Sequence, residues 1–219
     1  MLDVVLMADP AVMGIPVVDN GEPLVDLRDY GTLRLDNRLA DPAGAYCQAR
    51  RGVADRLVAA QRLLPGGLHF LVVEAYRPLA LQVQYFESYL AELRAENPSW
   101  SDQHLRTMAS RLLSPPEIGP HVCGAAIDLT LCSPGGEEIW LGTEVNDGPE
   151  ESDDACYTAA TNIPAQARRH RRVLANAMTS AGFVNYPTEW WHWSYGDRYW
   201  AMTTAAPHAI YGQQTFTGR

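Results

Sequence analysis

The sequence lacks the features that mark membrane, secreted and disulfide-stabilised proteins. It has no apolar run approaching the ~18 residues needed to span a membrane. Its N-terminal stretch carries Asp3 and no basic residue ahead of its apolar positions, unlike a secretory signal peptide. Its four cysteines form no C-x-x-C pair, which argues against a disulfide framework and a thiolate metal site. We therefore expect a cytoplasmic protein with reduced, buried cysteines.

Basic charge is also scarce. The chain has 17 Lys and Arg residues against 26 Asp and Glu residues, for a formal net charge of −9. The longest basic run, Ala167–Arg172, lies in a helical pattern and is predicted to be a solvated helix face. Nucleic acids and anionic membranes bind basic surfaces, so we expect neither as a partner.

The remaining composition is that of a globular enzyme or binding domain, with 219 residues of which 47% are hydrophobic. We predict a single α+β domain over residues 1–219, in which helices flank a mainly antiparallel sheet. Residues 1–45 are predicted to form an irregular arm and residues 205–219 a loose tail. Periodicity predicts helices at 50–64, 79–96, 101–113 and 165–181, and strands at 68–76, 125–131, 137–142 and within 183–195.

One predicted strand, AAIDLTL at 125–131, contains a carboxylate among apolar residues. A buried Asp128 needs a charge partner or a metal ion to offset its lost hydration. His121 lies seven residues upstream. Gly124 lets the backbone bend between them, so the imidazole can turn back towards the carboxylate.

The most aromatic segment, YPTEWWHWSY at 186–195, contains both Glu189 and His192. Two imidazoles and one carboxylate suit Zn²⁺ and leave a fourth coordination position for water. Glu189 precedes His192 by three residues and could act as a general base without binding the metal. Arg77, at the end of a predicted strand, could stabilise the oxyanion formed when water attacks a carbonyl.

Three motifs in order resemble the zinc D-alanyl-D-alanine dipeptidases of the vancomycin-resistance type. They are HxxGxAxD at 121–128, ExWH at 189–192 and YRP at 76–78. The resemblance implies a DD-peptidase/Hedgehog-like fold, a small dipeptide substrate such as D-Ala-D-Ala and one Zn²⁺ per chain. It also implies the site roles: the metal ligands are His121, Asp128 and His192, the general base is Glu189, and Arg77 stabilises the tetrahedral intermediate.

The chain departs from this family pattern on the substrate side. Gly119 stands where the family has Ser, two residues before the first ligand. Asn146 stands where the family has the acidic residue that pairs with the substrate ammonium, and Asp147 follows it. The predicted substrate contacts are Asn146, Asp147, Tyr30 and Trp191.

Other functions fit the same residues. A zinc amidohydrolase or carboxypeptidase could act on a larger peptidoglycan-type peptide. An Fe(II) oxygenase also uses two His and one carboxylate, although usually as His-x-Asp on a barrel. A metal-stabilised binding module without catalysis is the third alternative. The sequence gives no prediction of the oligomeric state.

Overall fold

The computed structural model describes residues 4–218, so the predictions for 1–3 and 219 lie outside the described residues. The helices are α1 Pro10–Met13, α2 Arg51–Gln61, α3 Leu79–Glu96, α4 Asp102–Ala109, α5 Pro149–Ser152, α6 Ala165–Ser180 and α7 Arg198–Thr204. The strands are β1 Leu24–Asp26, β2 Arg34–Leu35, β3 Gln48–Arg50, β4 His69–Glu74, β5 Ala126–Cys132, β6 Val184–Asn185 and β7 His192–Ser194. Within residues 4–218, no helix has the length and apolar character of a membrane span.

The main sheet has five strands in the order β2-β4-β5-β7-β6. Only the short β2–β4 pairing is parallel, and β4, β5, β7 and β6 pair antiparallel. β1 and β3 form a separate antiparallel pair. The α+β class with a mainly antiparallel sheet is therefore confirmed.

The central strand β5 presents different chemistry on its two faces because side chains alternate along a strand. Ile127 and Leu129 belong to the main hydrophobic core, together with residues of α2 and α6. Asp128 points to the opposite face. The sheet thus separates an apolar layer from a polar one along a single strand.

An irregularity in β4 brings a second carboxylate to the polar face. Val72 pairs with Leu129, but the register then shifts, so that Glu74 pairs with Asp128. With a regular register, Glu74 would lie on the same face as Val72. A bulge inserts one residue and re-aims the side chains that follow it. The bulge at Val73 therefore places Glu74 beside Asp128.

The local predictions differ from the structure at several places; the helix predicted at 101–113, for example, ends at Ala109. Residues 137–142 form no strand; Glu138 makes a single bridge to Cys132. Helix α7 was not predicted, although Asp197 caps it by accepting hydrogen bonds from the backbone N–H groups of Tyr199 and Trp200. An Asp at that position is a common helix start signal.

The C-terminal segment packs against the N-terminal arm, which differs from the loose tail expected from the sequence. Ala209 bridges to Val17. The buried Tyr211 donates its hydroxyl hydrogen bond to Glu22 at 2.8 Å. These contacts join residues nearly two hundred positions apart, so no local pattern could reveal them.

Candidate active site

The register of the sheet pairs two of the predicted metal ligands. Asp128 on β5 lies directly opposite His192 on β7. Directly opposed residues of an antiparallel pair project to the same face. The Nδ1 atom of His192 lies 2.9 Å from Oδ1 of Asp128. The neighbouring pair, Ile127 and Trp193, points into the core instead.

A tight turn positions His121, the third predicted ligand. His121 begins a 3₁₀ turn that ends at Gly124, which has a φ of 69°. A Cβ at Gly124 would collide with Leu24 and lie 3.3 Å from the backbone nitrogen of Arg50. Glycine is therefore required for the turn, both by its left-handed backbone and by the lack of space.

The ligand atoms of His121, Asp128 and His192 face one another, and we call these three residues the metal-ligand cluster. All three are buried, and their ligand atoms lie within 4.8 Å of one another. The Nε2 atom of His121 is 3.2 Å from Nδ1 of His192 and 3.3 Å from Oδ2 of Asp128. The Nδ1 atom of His121 donates to the carbonyl of Ala75 at 2.6 Å. This bond leaves a lone pair on Nε2, as in metal-binding histidines.

The charges of this cluster are strongly coupled. Burial would raise the pKa of Asp128, but His121 and His192 hold the pKa of that carboxyl well below its ordinary value. Burial would lower the pKa of His121, but Asp128 raises it instead. Two imidazole nitrogens facing each other beside a carboxylate need a proton or a cation between them. The donor set therefore fits Zn²⁺, which takes nitrogen and carboxylate oxygen ligands.

Glu189 lies at the edge of the cluster without joining it. Its Oε2 is 3.6 Å from Nδ1 of His192. The turn before β7 is fixed by Asn185, whose side chain donates to the carbonyls of Glu189 and His192. Burial, reinforced by repulsion from Asp128, raises the pKa of Glu189 well above its ordinary value, although Arg77 opposes this shift.

Arg77 is buried in the wall of the same site and is held by two partners. Its Nε donates to Glu74 at 2.8 Å, and its Nη2 donates to the second carboxylate oxygen. Its Nη1 donates to Oε1 of Gln82 at 2.7 Å. Burial would lower the pKa of Arg77, but Glu74 raises it further above its ordinary value, so the guanidinium stays charged.

These groups surround one cavity of about 270 Å³. Its lining includes the metal-ligand cluster, Glu189, Arg77 and Asn146. It also includes Met7, Leu39, Glu74, Tyr85, Leu112, Leu113, Ser114, Pro120 and Tyr186. Five residues predicted as ligands, base or oxyanion stabiliser, and one predicted substrate contact, therefore lie around the same space.

The other three predicted substrate contacts lie outside the cavity lining. Asp147 accepts a hydrogen bond from the backbone N–H of Glu144 at 2.9 Å. The hydroxyl of Tyr30 donates to Asp55 at 3.4 Å. Trp191, which directly precedes β7, is only 1% exposed and packs in the core, away from the side chain of His192. The ring closest to His192 among its aromatic neighbours in this segment is Tyr186, with centroids 6.1 Å apart.

The sequence analysis missed several residues that complete the site. Glu74 lies near the end of the strand predicted at 68–76, and a buried carboxylate three residues before an arginine indicates an ion pair. Gln82, which is fully buried on α3, carried no local signal. Tyr85 and Ser114 reach the cavity only through the packing of α3 and the loop after α4.

Comparisons with known proteins agree with this geometry. Residues 35–211 match the family Peptidase_M15, described as D-ala-D-ala dipeptidase. A D-alanyl-D-alanine dipeptidase of Synechocystis sp. is 30% identical over 238 residues, covering 94% of this chain and 95% of that protein. The corresponding enzyme of Escherichia coli is 27% identical over 126 residues, covering 58% of this chain and 54% of that protein. The Enterococcus faecium enzyme is 35% identical over 74 residues, covering 33% of this chain and 35% of that protein.

Solved structures of a vancomycin-resistance D,D-pentapeptidase, VanY, also align with the chain. A VanY variant in complex with Zn(II) has 16% identity and a TM-score of 0.41, and the alignment covers 78% of this chain and 84% of that one. VanYB in complex with D-alanine-D-alanine has 16% identity and a TM-score of 0.43, with coverage of 76% and 80%. The match to the family over most of the chain, and the relative that aligns along nearly its whole length, show that this chain belongs to the D-Ala-D-Ala dipeptidase family of metallopeptidases.

Proposed function

We propose that this protein is a zinc-dependent dipeptidase that hydrolyses D-Ala-D-Ala or a closely related small dipeptide. The observation that carries the proposal is one cavity with a metal-ligand cluster, a separate buried carboxylate and a fixed guanidinium, in a member of a dipeptidase family. Family membership favours a peptidase over an Fe(II) oxygenase. The presence of Glu189 and Arg77 in the cavity favours catalysis over a binding role.

His121, Asp128 and His192 would hold one Zn²⁺. Bound there, the ion would supply Lewis acidity, which polarises the peptide carbonyl and makes a water molecule more acidic. The bond from His121 to the carbonyl of Ala75 fixes the ring so that Nε2 faces the site. Such an outer hydrogen bond orients a ligand and sets its tautomer.

Glu189 is positioned to move the proton of the attacking water. It lies beside the cluster, but its 3.6 Å distance to His192 leaves it free of a close partner there. Burial makes this carboxylate more basic than an ordinary glutamate. A base whose pKa is raised towards the working pH can both accept a proton and return it to the leaving amine.

Arg77 is positioned to stabilise negative charge on the carbonyl oxygen. Three of its hydrogen bonds go to Glu74 and Gln82, while a guanidinium has five N–H donors. Two N–H groups therefore remain for a ligand in the cavity that Arg77 lines. Because its partners hold it rigidly, it needs no reorganisation when charge develops.

The size of the cavity supports a small substrate. At about 270 Å³ it lies just below the ~300–1,000 Å³ typical of pockets for drug-sized ligands. A dipeptide suits this volume better than a long peptide does. Asn146 is the predicted ammonium contact that reaches the cavity, and its side-chain oxygen can accept a hydrogen bond from an ammonium group.

We also propose a cytoplasmic location. All four cysteines are buried and free. Burial raises the pKa of Cys47 to about 11 and of Cys123 to about 12, so these two thiols stay protonated near neutral pH. Cell fractionation that recovers the protein outside the cytoplasm would contradict this proposal.

The function can be tested with zinc-loaded protein and a set of D,D-, L,D- and L,L-dipeptides, together with a pentapeptide ending in D-Ala-D-Ala. We expect free amino acids from a D,D-dipeptide and slower cleavage of the pentapeptide. Glu189→Gln serves as the inactive control that keeps the metal ligands. Cleavage of the pentapeptide in preference to every dipeptide would favour the carboxypeptidase alternative.

A further inference from the structure

Gly119, one of the departures from the family pattern, has no side chain and lies next to residues that line the cavity. Gly119 replaces the family's serine. A Cβ built on Gly119 would lie 3.1 Å from Oγ of Ser114, with its next neighbours, in Gln82 and Val122, at 3.6 Å. The hydroxyl of Ser114 thus occupies the space that a side chain at position 119 would otherwise enter.

Ser114 is held firmly in this place. Its carbonyl accepts a hydrogen bond from Nε2 of Gln82 at 2.8 Å. The Oε1 atom of the same amide accepts from Arg77, which fixes which end of the amide faces which partner. Two prolines follow Ser114 directly and restrict its backbone further. The serine is therefore connected to the Arg77 side of the cavity through one buried side chain.

The hydroxyl of Ser114 is available to a ligand. Ser114 lines the cavity, and its Oγ has no hydrogen-bond partner among residues 4–218. By contrast, the hydroxyl of Tyr186 in the same lining is already bonded to Ser110 and Met7. A hydroxyl that lines the cavity and has no protein partner can donate a hydrogen bond to a bound ligand.

We propose that Ser114 binds the terminal carboxylate of the dipeptide and so takes the place of the serine that is absent at position 119. The proposal rests on the proposed dipeptidase function. A hydroxyl that donates to a carboxylate forms a charge-assisted bond, which is stronger than a neutral one. The positive charge of Arg77, which Gln82 links to Ser114, favours an anionic group on this side of the cavity. Asn146, in the same cavity lining, offers an acceptor for the ammonium end.

The test compares D-Ala-D-Ala with its C-terminal amide and its N-acetyl derivative. The proteins are wild type, Ser114→Ala, and the double variant Ser114→Ala with Gly119→Ser. We expect Ser114→Ala to lower kcat/KM for D-Ala-D-Ala by about 10- to 100-fold, mainly through KM, the range for a hydrogen bond to a charged group. The preference for the free carboxylate over the amide should fall by a similar factor. The discrimination against the N-acetyl derivative should stay unchanged.

The double variant should recover this preference, because removal of the Ser114 hydroxyl gives a serine at position 119 room for its own. The exposed Ser99→Ala, the same chemical change outside the cavity, is the control and should behave as wild type. The proposal is overturned if Ser114→Ala keeps its preference for the carboxylate, if it changes the N-acetyl discrimination instead, or if the double variant shows no recovery.

A binding measurement separates this proposal from the proposed function. In zinc-loaded Glu189→Gln, calorimetry measures the Kd of uncleaved D-Ala-D-Ala with and without Ser114→Ala. An unchanged Kd would refute the role of Ser114 while leaving the dipeptidase function intact. If wild type cleaves no dipeptide and Glu189→Gln binds none, the proposed function itself fails, and the role of Ser114 fails with it.

Discussion

Two buried polar clusters meet at the turn that runs from His121 to Gly124, and they differ in how their polar atoms are satisfied. The first is the metal-ligand cluster. The second, which we call the arm–tail cluster, is centred on the fully buried Arg50. Arg50 donates to the backbone carbonyls of Cys123, Glu22 and Gly212 and pairs with Asp19.

The arm–tail cluster is complete within the chain. Its cation meets a carboxylate and three carbonyls, and the ring of Tyr211 lies 5.0 Å from its guanidinium. In the metal-ligand cluster, two imidazole nitrogens face each other at 3.2 Å. The difference teaches that a buried structural cluster pairs its donors with acceptors, whereas a ligand site leaves atoms that only an added group can satisfy.

The largest effect on the metal-ligand cluster is expected from removal of Asp128, the carboxylate that contacts both imidazoles. Asp128→Ala should lose zinc and all measurable hydrolysis, because two ligands bind the ion far more weakly than three. Zinc binding stabilises only the folded state, so the melting temperature of the zinc-treated protein should also fall. Metal analysis and thermal unfolding check this. A full equivalent of zinc in the variant would disprove the ligand assignment.

Removal of the proposed base should separate catalysis from metal binding. Glu189→Gln keeps the size of the side chain and the three ligands, so it should bind zinc normally. Loss of a positioned base lowers the rate by about 10²–10⁴-fold, and we expect a decrease of that order in kcat. Turnover near that of wild type with zinc bound would show that another group moves the proton.

Replacement of the fixed guanidinium should produce the next largest loss. In Arg77→Lys, a flexible ammonium cannot keep both Glu74 and Gln82 as partners and still present a donor to the cavity. We expect kcat to fall by about 10²–10³-fold, as for loss of an oxyanion donor. Steady-state kinetics decide the point. A change confined to KM would mean that Arg77 binds the ground-state substrate.

Disruption of the arm–tail cluster should affect stability rather than chemistry. Arg50→Met leaves three backbone carbonyls without their donor and Asp19 without its cation. We expect the free energy of unfolding to drop by about 3 kcal/mol or more. The kcat of the folded, zinc-loaded fraction should change little, which urea unfolding and active-site-normalised kinetics can check. A loss of kcat like that of Arg77→Lys would place Arg50 within the catalytic machinery.

The pH dependence of stability should detect the raised pKa of Glu189 in the metal-free protein. Its pKa is raised above the ordinary 4.5, so the folded state holds its proton more tightly than the unfolded state. This contribution to stability is complete below pH 4.5 and is lost as the pH rises through the folded pKa. Metal-free Glu189→Gln should lack this loss and gain stability relative to wild type as the pH rises. Parallel pH profiles of the two proteins would contradict the raised pKa.

The smallest effect should come from the predicted ammonium contacts. Asn146→Asp places a carboxylate at the cavity and should increase the preference for D-Ala-D-Ala over its N-acetyl form. Asp147→Asn should leave that preference unchanged, because Asp147 already accepts from the backbone of Glu144. If Asp147→Asn alone abolishes the preference, Asp147 reaches the substrate and has replaced the missing charge.

The sequence predicted what depends on local pattern and on ordered motifs. Helix α3 was predicted at its observed bounds, because a long periodic segment lies between Pro78 and Pro98. The strand with Asp128 was predicted because a lone carboxylate interrupts an apolar run. The spacing of the motifs also brought His121 and His192 to the same site.

What the sequence could not reveal depends on contacts between distant segments. The bulge in β4 that turns Glu74 to the polar face depends on pairing with β5. Trp191 was predicted to contact the substrate, but the structure places it in the main hydrophobic core. The packed tail depends on Arg50, which lies far from it in sequence.

Through the arm–tail cluster, the C-terminal segment helps to hold the turn that carries the metal ligand His121. The guanidinium of Arg50 donates one hydrogen bond to the carbonyl of Cys123, in the turn that carries His121. It donates another to the carbonyl of Gly212 in the C-terminal segment. Limited proteolysis that trims the chain after α7 would remove one acceptor of this buried cation, which also binds the turn that carries the first metal ligand. We therefore expect a trimmed enzyme to be less stable and to hold zinc less tightly although every predicted catalytic residue remains, so shortened variants should be compared by zinc content as well as by activity.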